Sequence, residues 1–87
     1  MGDGSGFDIL SKTTQGSDIF IEVKSTTLGK ETPIFFSKRE NDFSEQKRKD
    51  YHLYRVFDLQ NQPKMFQRNG RFKDICTVEA ASFKGFF

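Results

Sequence analysis

An α/β domain on a mixed sheet is the fold class this sequence predicts, and three observations predict it. Ile19-Phe20-Ile21-Glu22-Val23-Lys24-Ser25 alternates with period two and is rich in β-branched residues, so it reads as a strand. Ser37-Lys38-Arg39-Glu40 matches the capping box that opens a helix: a serine oxygen accepts from the N–H three residues on, and the glutamate reaches back. Tyr51 to Leu59 is a second sheet-like run, apolar on both faces as a central strand is.

Taken in order, residues 1–6 hold three glycines and nothing to bury, and read as a flexible linker. Phe7-Asp8-Ile9-Leu10 is a short strand, with Phe7 and Ile9 on one face and Asp8 and Leu10 on the other. Thr14-Gln15-Gly16 supplies a turn, so this strand folds back antiparallel on the next. A turn centred near Gln15 pairs positions that sum to thirty, which sets Asp8 opposite Glu22 at roughly 5 Å between Cβ atoms. Two carboxylates there repel unless a cation or a proton relieves them. In the strand from Ile19, alternation points Ile19, Ile21 and Val23 to an apolar face, with Val23 in the core, and Phe20, Glu22 and Lys24 to the opposite one. Pro33 to Phe36 is a third strand, and the helix runs from Ser37 to about Lys49 with Phe43 as almost its only apolar anchor. Asn69-Gly70 predicts a hairpin joining 64–68 to 71–75. Residues 76–87 read as a short edge strand or loop that returns Val78, Phe83, Phe86 and Phe87 to the core.

At 87 residues, 7–87 form one small domain with one modest core, a size that also suits a fragment of a larger protein. Hydrophobic residues make up 34%, with eleven Phe and no Trp, enough to fold and to exclude disorder away from the ends. The single cysteine, Cys76, rules out an internal disulfide and a cysteine-based metal site and reads as a small buried hydrophobe. No apolar run has the length of a membrane span and no signal peptide is evident, so the expectation is a soluble cytoplasmic protein, nuclear if eukaryotic, without a membrane partner. The net charge of +2 is too small to argue for nucleic acid, but residues 1–36 carry −2 and residues 37–87 carry +4.

Single residues bound the chemistry further. His52 is the only histidine, which leaves little support for a histidine metal site or a Ser-His-Asp triad. Arg55 sits in an otherwise apolar strand and needs a partner: Glu40, Asp58 or a substrate phosphate. Lys47, Arg48 and Lys49 suit a solvated helix end, where the macrodipole favours cations. Lys38 and Arg39, at the helix start, are less favourably placed and better candidates to meet phosphate. For Asp8, Glu22 and Lys24 the plain alternative to a site is a solvated strand pair with a Glu–Lys contact of little energetic value.

Four pieces, Gly6-Phe7-Asp8-Ile9-Leu10, Ile21-Glu22-Val23-Lys24-Ser25-Thr26, Ser37-Lys38-Arg39-Glu40 and Leu53-Tyr54-Arg55-Val56, together resemble the domain family at the C-terminus of the NO VEIN protein, over residues 6–60. Asp8 followed by Glu22-Val23-Lys24 is the pattern of the PD-(D/E)xK superfamily. The resemblance implies a restriction-endonuclease-like mixed β-sheet with one main helix. It also implies a Mg²⁺- or Mn²⁺-dependent endonuclease acting on nucleic acid, DNA foremost, as a module of a larger DNA-processing or defence protein. Asp8, Glu22 and Lys24 would be catalytic, with Asp8, Glu22 and the Val23 carbonyl on the metal. Lys38, Arg39, Lys47, Arg48, Lys49 and Arg55 would contact nucleic acid. The superfamily usually opens with an N-terminal helix, often bearing a further Glu, which this chain lacks. That implies completion by such a helix, a neighbouring domain or a second copy. Phe7 replaces the namesake proline. The alternative is a catalytically inactive relative that binds nucleic acid or a protein partner; the intact Asp8, Glu22 and Lys24 speak for the enzyme.

Overall fold

The computed structural model describes residues 6–87. Among them the chain forms β1 (Ile9–Lys12), β2 (Asp18–Ser25), β3 (Ile34–Phe35), α1 (Lys38–Gln46), β4 (Tyr51–Phe57), β5 (Lys64–Asn69), α2 (Phe72–Ile75), β6 (Thr77–Glu79) and β7 (Lys84–Phe86). A four-stranded mixed sheet runs β1-β2-β4-β5, and a three-stranded sheet runs β3-β7-β6. The α/β class and the mixed sheet are as expected.

β1 and β2 pair antiparallel with Ile9 opposite Ile21 and Lys12 opposite Asp18, the register that sums to thirty. Gly16 takes φ +86 in the turn, a conformation that favours glycine. β2 and β4 pair in parallel, Phe20 with Tyr51 and Lys24 with Arg55. Parallel neighbours need a long crossover, and here it carries β3 and α1.

The face buried by that crossover lies opposite the expected Ile19, Ile21 and Val23 side, although Ile21 itself is buried as expected. Tyr51, Leu53, Arg55 and Phe57 are buried along β4, and their partners on β2 are Phe20, Glu22 and Lys24. Ile34, Phe36, Tyr51, Leu53 and Phe72 make the core, with Phe7, Phe20 and Phe43 packed against it. Val23 is half-buried on the other face, outside this core, on the side where Ile9 and Met65 are exposed. Aromatic mass decides the side: Phe7, Phe20 and Phe43 pack mutually with ring centroids 5.0–5.2 Å apart, and Phe36 stacks on Phe72 at 4.0 Å.

Other elements differ locally. Gly6 is buried rather than part of a linker: its carbonyl accepts from the Tyr51 hydroxyl at 2.9 Å, and a Cβ there would come within 2.5 Å of the Phe43 Cβ. The rest of that stretch, residues 1–5, lies outside the described residues. α1 opens on the expected capping box but ends at Gln46, and Lys47 caps it. Asn69-Gly70 makes no hairpin. The Asn69 amide donates to the carbonyls of Lys49 and Tyr51, and Gly70, at φ +132, turns the chain into α2 so that Phe72 enters the core. The tail forms two short strands, β6 and β7, which build the second sheet with β3. Cys76 is half-buried, its thiol donating to the Phe72 carbonyl at 3.3 Å and pushed up to about 11 by burial. No helix of the described residues is long and apolar enough to cross a membrane.

Candidate functional site

β2 carries the two charges of the candidate site into the interface between sheet and α1. Glu22 is 3% exposed. Its Oε2 lies 3.2 Å from the Lys24 ammonium; its Oε1 is buried and meets no nitrogen or hydroxyl donor among the described residues, and the carboxyl lies within hydrogen-bonding reach of Glu40. Lys24 also donates to Glu40 Oε1 at 2.9 Å. The same glutamate oxygen accepts the Ser37 N–H at 2.9 Å, and the Ser37 hydroxyl accepts the Glu40 N–H at 3.0 Å. The capping box therefore does more than end a helix, because it aims the Glu40 carboxylate at the sheet. Lys24 lies between two acids.

The electrostatics follow from this burial. Desolvation, then repulsion from Glu40, pushes the Glu22 carboxyl up to about 8, against the pull of Lys24; Asp8 adds a smaller push. Burial acts to raise Glu40 as well, but the Lys24 ammonium and the Ser37 N–H overcome it and hold that carboxyl below the usual range. Lys24 is raised, since its bonds to Glu40 and Glu22 outweigh the desolvation that opposes them. At neutral pH the network therefore holds one proton on Glu22 and one negative charge on Glu40.

Asp8 precedes β1, and its Oδ2 accepts the Val23 N–H at 2.8 Å. The carboxylate takes over from the backbone acceptor that a longer β1 would supply. In a strand the N–H and C=O of one residue point to the same edge, so the Val23 carbonyl faces the edge where Asp8 lies. Asp8, the Val23 carbonyl and the Glu22 Oε1 are the groups that could hold a cation. Among the described residues no group of three or more His, Cys, Asp or Glu side chains is arranged as a metal site. A hard cation such as Mg²⁺ is satisfied by one or two carboxylates plus waters, and Glu22 meets that requirement only once it has lost the proton it holds beside Glu40.

The expected basic contacts separate. Lys38 pairs with Asp42 one turn on, and with Arg39 it lines a cavity of about 540 Å³ along α1. Arg48 pairs with Asp74 through Nε at 2.7 Å and Nη2 at 3.1 Å. The Lys47 ammonium sits 5.7 Å from the centre of the Phe20 ring, and Lys49 is exposed. Arg55 meets neither Glu40 nor Asp58; its Nη2 donates to the carbonyls of Thr32 and Pro33 at 3.0 and 3.3 Å. Glu40 is the residue that sequence reading passed over, since its role as a cap accounted for it. The available signal was the basic strand residue Lys24, which needed a second acid once its face was buried.

Fold and site together define a small α/β domain with a buried acid–lysine–acid network beside a sheet edge. The model of the family described as protein NO VEIN, C-terminal, matches residues 1–68, most of the chain, and this protein belongs to that family. Comparison with curated proteins and with solved structures found no match.

Proposed function

We propose that this chain is a metal-dependent nuclease-type module of the PD-(D/E)xK, restriction-endonuclease-like kind. It would hydrolyse phosphodiester bonds of nucleic acid, DNA foremost, with Mg²⁺ or Mn²⁺, within a larger DNA-processing or defence protein. The observation that carries the reading is the buried acid Glu22, set against Glu40 and with no nitrogen or hydroxyl donor to its Oε1 among the described residues, in a strand that also carries Lys24 and beside an edge that holds Asp8. A carboxylate desolvated to this degree is costly as a purely structural element, and perturbed acids of this kind concentrate at functional sites.

A divalent cation held by Asp8, Glu22 and the Val23 carbonyl would acidify a bound water and offset charge building on the phosphate. Glu22 must release its proton before it can serve as a ligand. Lys24, steadied by Glu40, presents its ammonium on the same face and orients the attacking water or stabilises the phosphate. Glu40 acts through Lys24 and is a positioning residue. Of the two cations at the start of α1, Arg39 is the one better placed to follow a nucleic-acid backbone, since Lys38 is paired with Asp42, as Arg48 is with Asp74.

Calorimetric titration with Mn²⁺ should give saturable heat that disappears in Glu22→Ala, with affinity rising as pH passes about 8. Incubation with plasmid and Mg²⁺ should give cleavage that Lys24→Ala abolishes. A folded protein that takes up no metal at millimolar concentration sinks the enzyme reading. It would favour the inactive module that binds nucleic acid or protein, for which the closed Glu22–Lys24–Glu40 network then serves only to pin α1 on the sheet.

A further inference from the structure

We infer that the cavity beside Lys24 and Arg55 is an anion site that takes a phosphate group. The cavity, of about 320 Å³, is lined by these two cations, by the hydroxyl residues Ser25, Thr26 and Thr32, and otherwise by apolar side chains. Lys24 and Arg55 are register partners on β2 and β4, so they stand side by side on one face. No carboxylate lines this cavity, whereas two other cavities, along α1 and at its C-terminal end, carry Asp42 and Asp50.

Arg55 is the cation at the centre of this cavity's charge. Its side chain belongs to a residue 3% exposed, and among the described residues its Nε is buried with no partner and its bonds run only to the Thr32 and Pro33 carbonyls. Among the described residues no carboxylate offsets its charge. A buried guanidinium in that state is unfavourable unless an anion completes it. The charge of Lys24 is already offset by Glu40 at 2.9 Å, so the uncompensated charge of the pair lies on the Arg55 side. A guanidinium fork matches the spacing of phosphate oxygens. Thr26 Oγ1 already accepts from the Leu28 N–H at 3.1 Å, which leaves its O–H free to donate. Neither Asp8 nor Glu22 lines the cavity, so the site goes beyond the metal ligands proposed above and stands without them.

A free phosphate and a nucleic-acid phosphate present the same oxygens, and the test separates them. Inorganic phosphate titrated into the whole chain in chelator should shift the NMR signals of Arg55 Nε–H and of the Ser25, Thr26 and Thr32 amides, saturating in the millimolar range. Arg55→Met, which keeps the stem and removes the fork, should weaken binding about tenfold or more. A terminally phosphorylated oligonucleotide that shifts the same signals more tightly assigns the site to nucleic acid; a response to inorganic phosphate alone assigns it to the free anion. Either result supports the site. An Arg55 signal unmoved by every probe, or equal binding by a folded Arg55→Met, overturns it; if that variant does not fold, the wild-type signal decides. Phosphate binding without metal-dependent cleavage would count against the nuclease reading alone, and cleavage with no Arg55 response against this one alone.

Discussion

Replacing Glu22 by Gln isolates what the buried carboxylate costs. Burial and Glu40 keep the Glu22 acid protonated up to about pH 8, against an ordinary value of 4.5. In the unfolded chain it ionises near the ordinary value, so between these limits the folded state holds a proton that the unfolded state has lost. The stability linked to that proton is fully present below the unfolded value and is lost as pH rises through about 8. At about 1.4 kcal/mol per pH unit, the interval sets a ceiling of about 5 kcal/mol. Relaxation of Lys24 toward the ionised carboxylate brings the expected loss to about 2 to 3 kcal/mol. Glu40 titrates in another window: its carboxyl is held low, so its contribution is lost only as pH falls through its folded value, below 4.5. Gln keeps the shape of the neutral acid, its carbonyl accepting from Lys24 and its amide donating toward Glu40, and does not ionise. Urea midpoints should be measured in chelator from about pH 5 to about pH 9, since a cation would stabilise the ionised form by mass action. The wild-type midpoint should fall across this range while that of Glu22→Gln stays level, so that the variant is the more stable at the alkaline end. Parallel profiles, or a variant that is weaker throughout, would refute the assignment of a raised, desolvated Glu22.

Lys24→Met should leave Glu22 and Glu40 facing one another without a cation. Breaking a buried pair costs about 3–5 kcal/mol. With the Lys24 side chain 20% exposed, about 2–3 kcal/mol is expected, a fall in Tm of roughly 10–20 °C by calorimetry. The fall should grow as pH rises from neutral through about 8, where Glu22 loses its proton and faces Glu40 as a second anion; a loss independent of pH would mean that packing, not charge, is responsible. Phe72→Ala removes a ring that is 0% exposed and stacked at 4.0 Å on Phe36, and should cost about 3–5 kcal/mol. In a domain this small that approaches the whole stability, so circular dichroism should show a partly unfolded population at room temperature, and a cooperative, near-native melt would show that α2 is dispensable.

Local chemistry was legible wherever a few neighbouring residues settle the outcome. The Thr14-Gln15-Gly16 turn sets the β1–β2 register, because turn length and side-chain alternation admit one pairing. Ser37 and Glu40 complete a cap within four residues. Tyr51 onward is central because both its faces are apolar enough to be covered. Asn69-Gly70 shows the limit of local reading. The dipeptide favours a tight hairpin, but the Asn69 amide finds the Lys49 and Tyr51 carbonyls instead, and burying the Phe72 ring outweighs a turn preference.

The Ile19–Ser25 stretch separates what sequence determines from what tertiary structure decides. From residue order alone come the strand, its alternation, the register that pairs Ile9 with Ile21 and Lys12 with Asp18, and the family to which the chain belongs. Which face turns inward is not encoded in the strand, since Ile19, Ile21 and Val23 on one side and Phe20 on the other both offer apolar surface. The choice falls to the crossover, which brings α1 and the Phe36 and Phe43 rings onto the Phe20 side, where Phe72 of α2 joins them. That packing buries Glu22 and Lys24 with it, recruits Glu40 from a helix cap, and leaves Arg55 without a counter-charge among the described residues. Burial removes the water that would otherwise hold these charges, and a charge without water must find its partners across the fold.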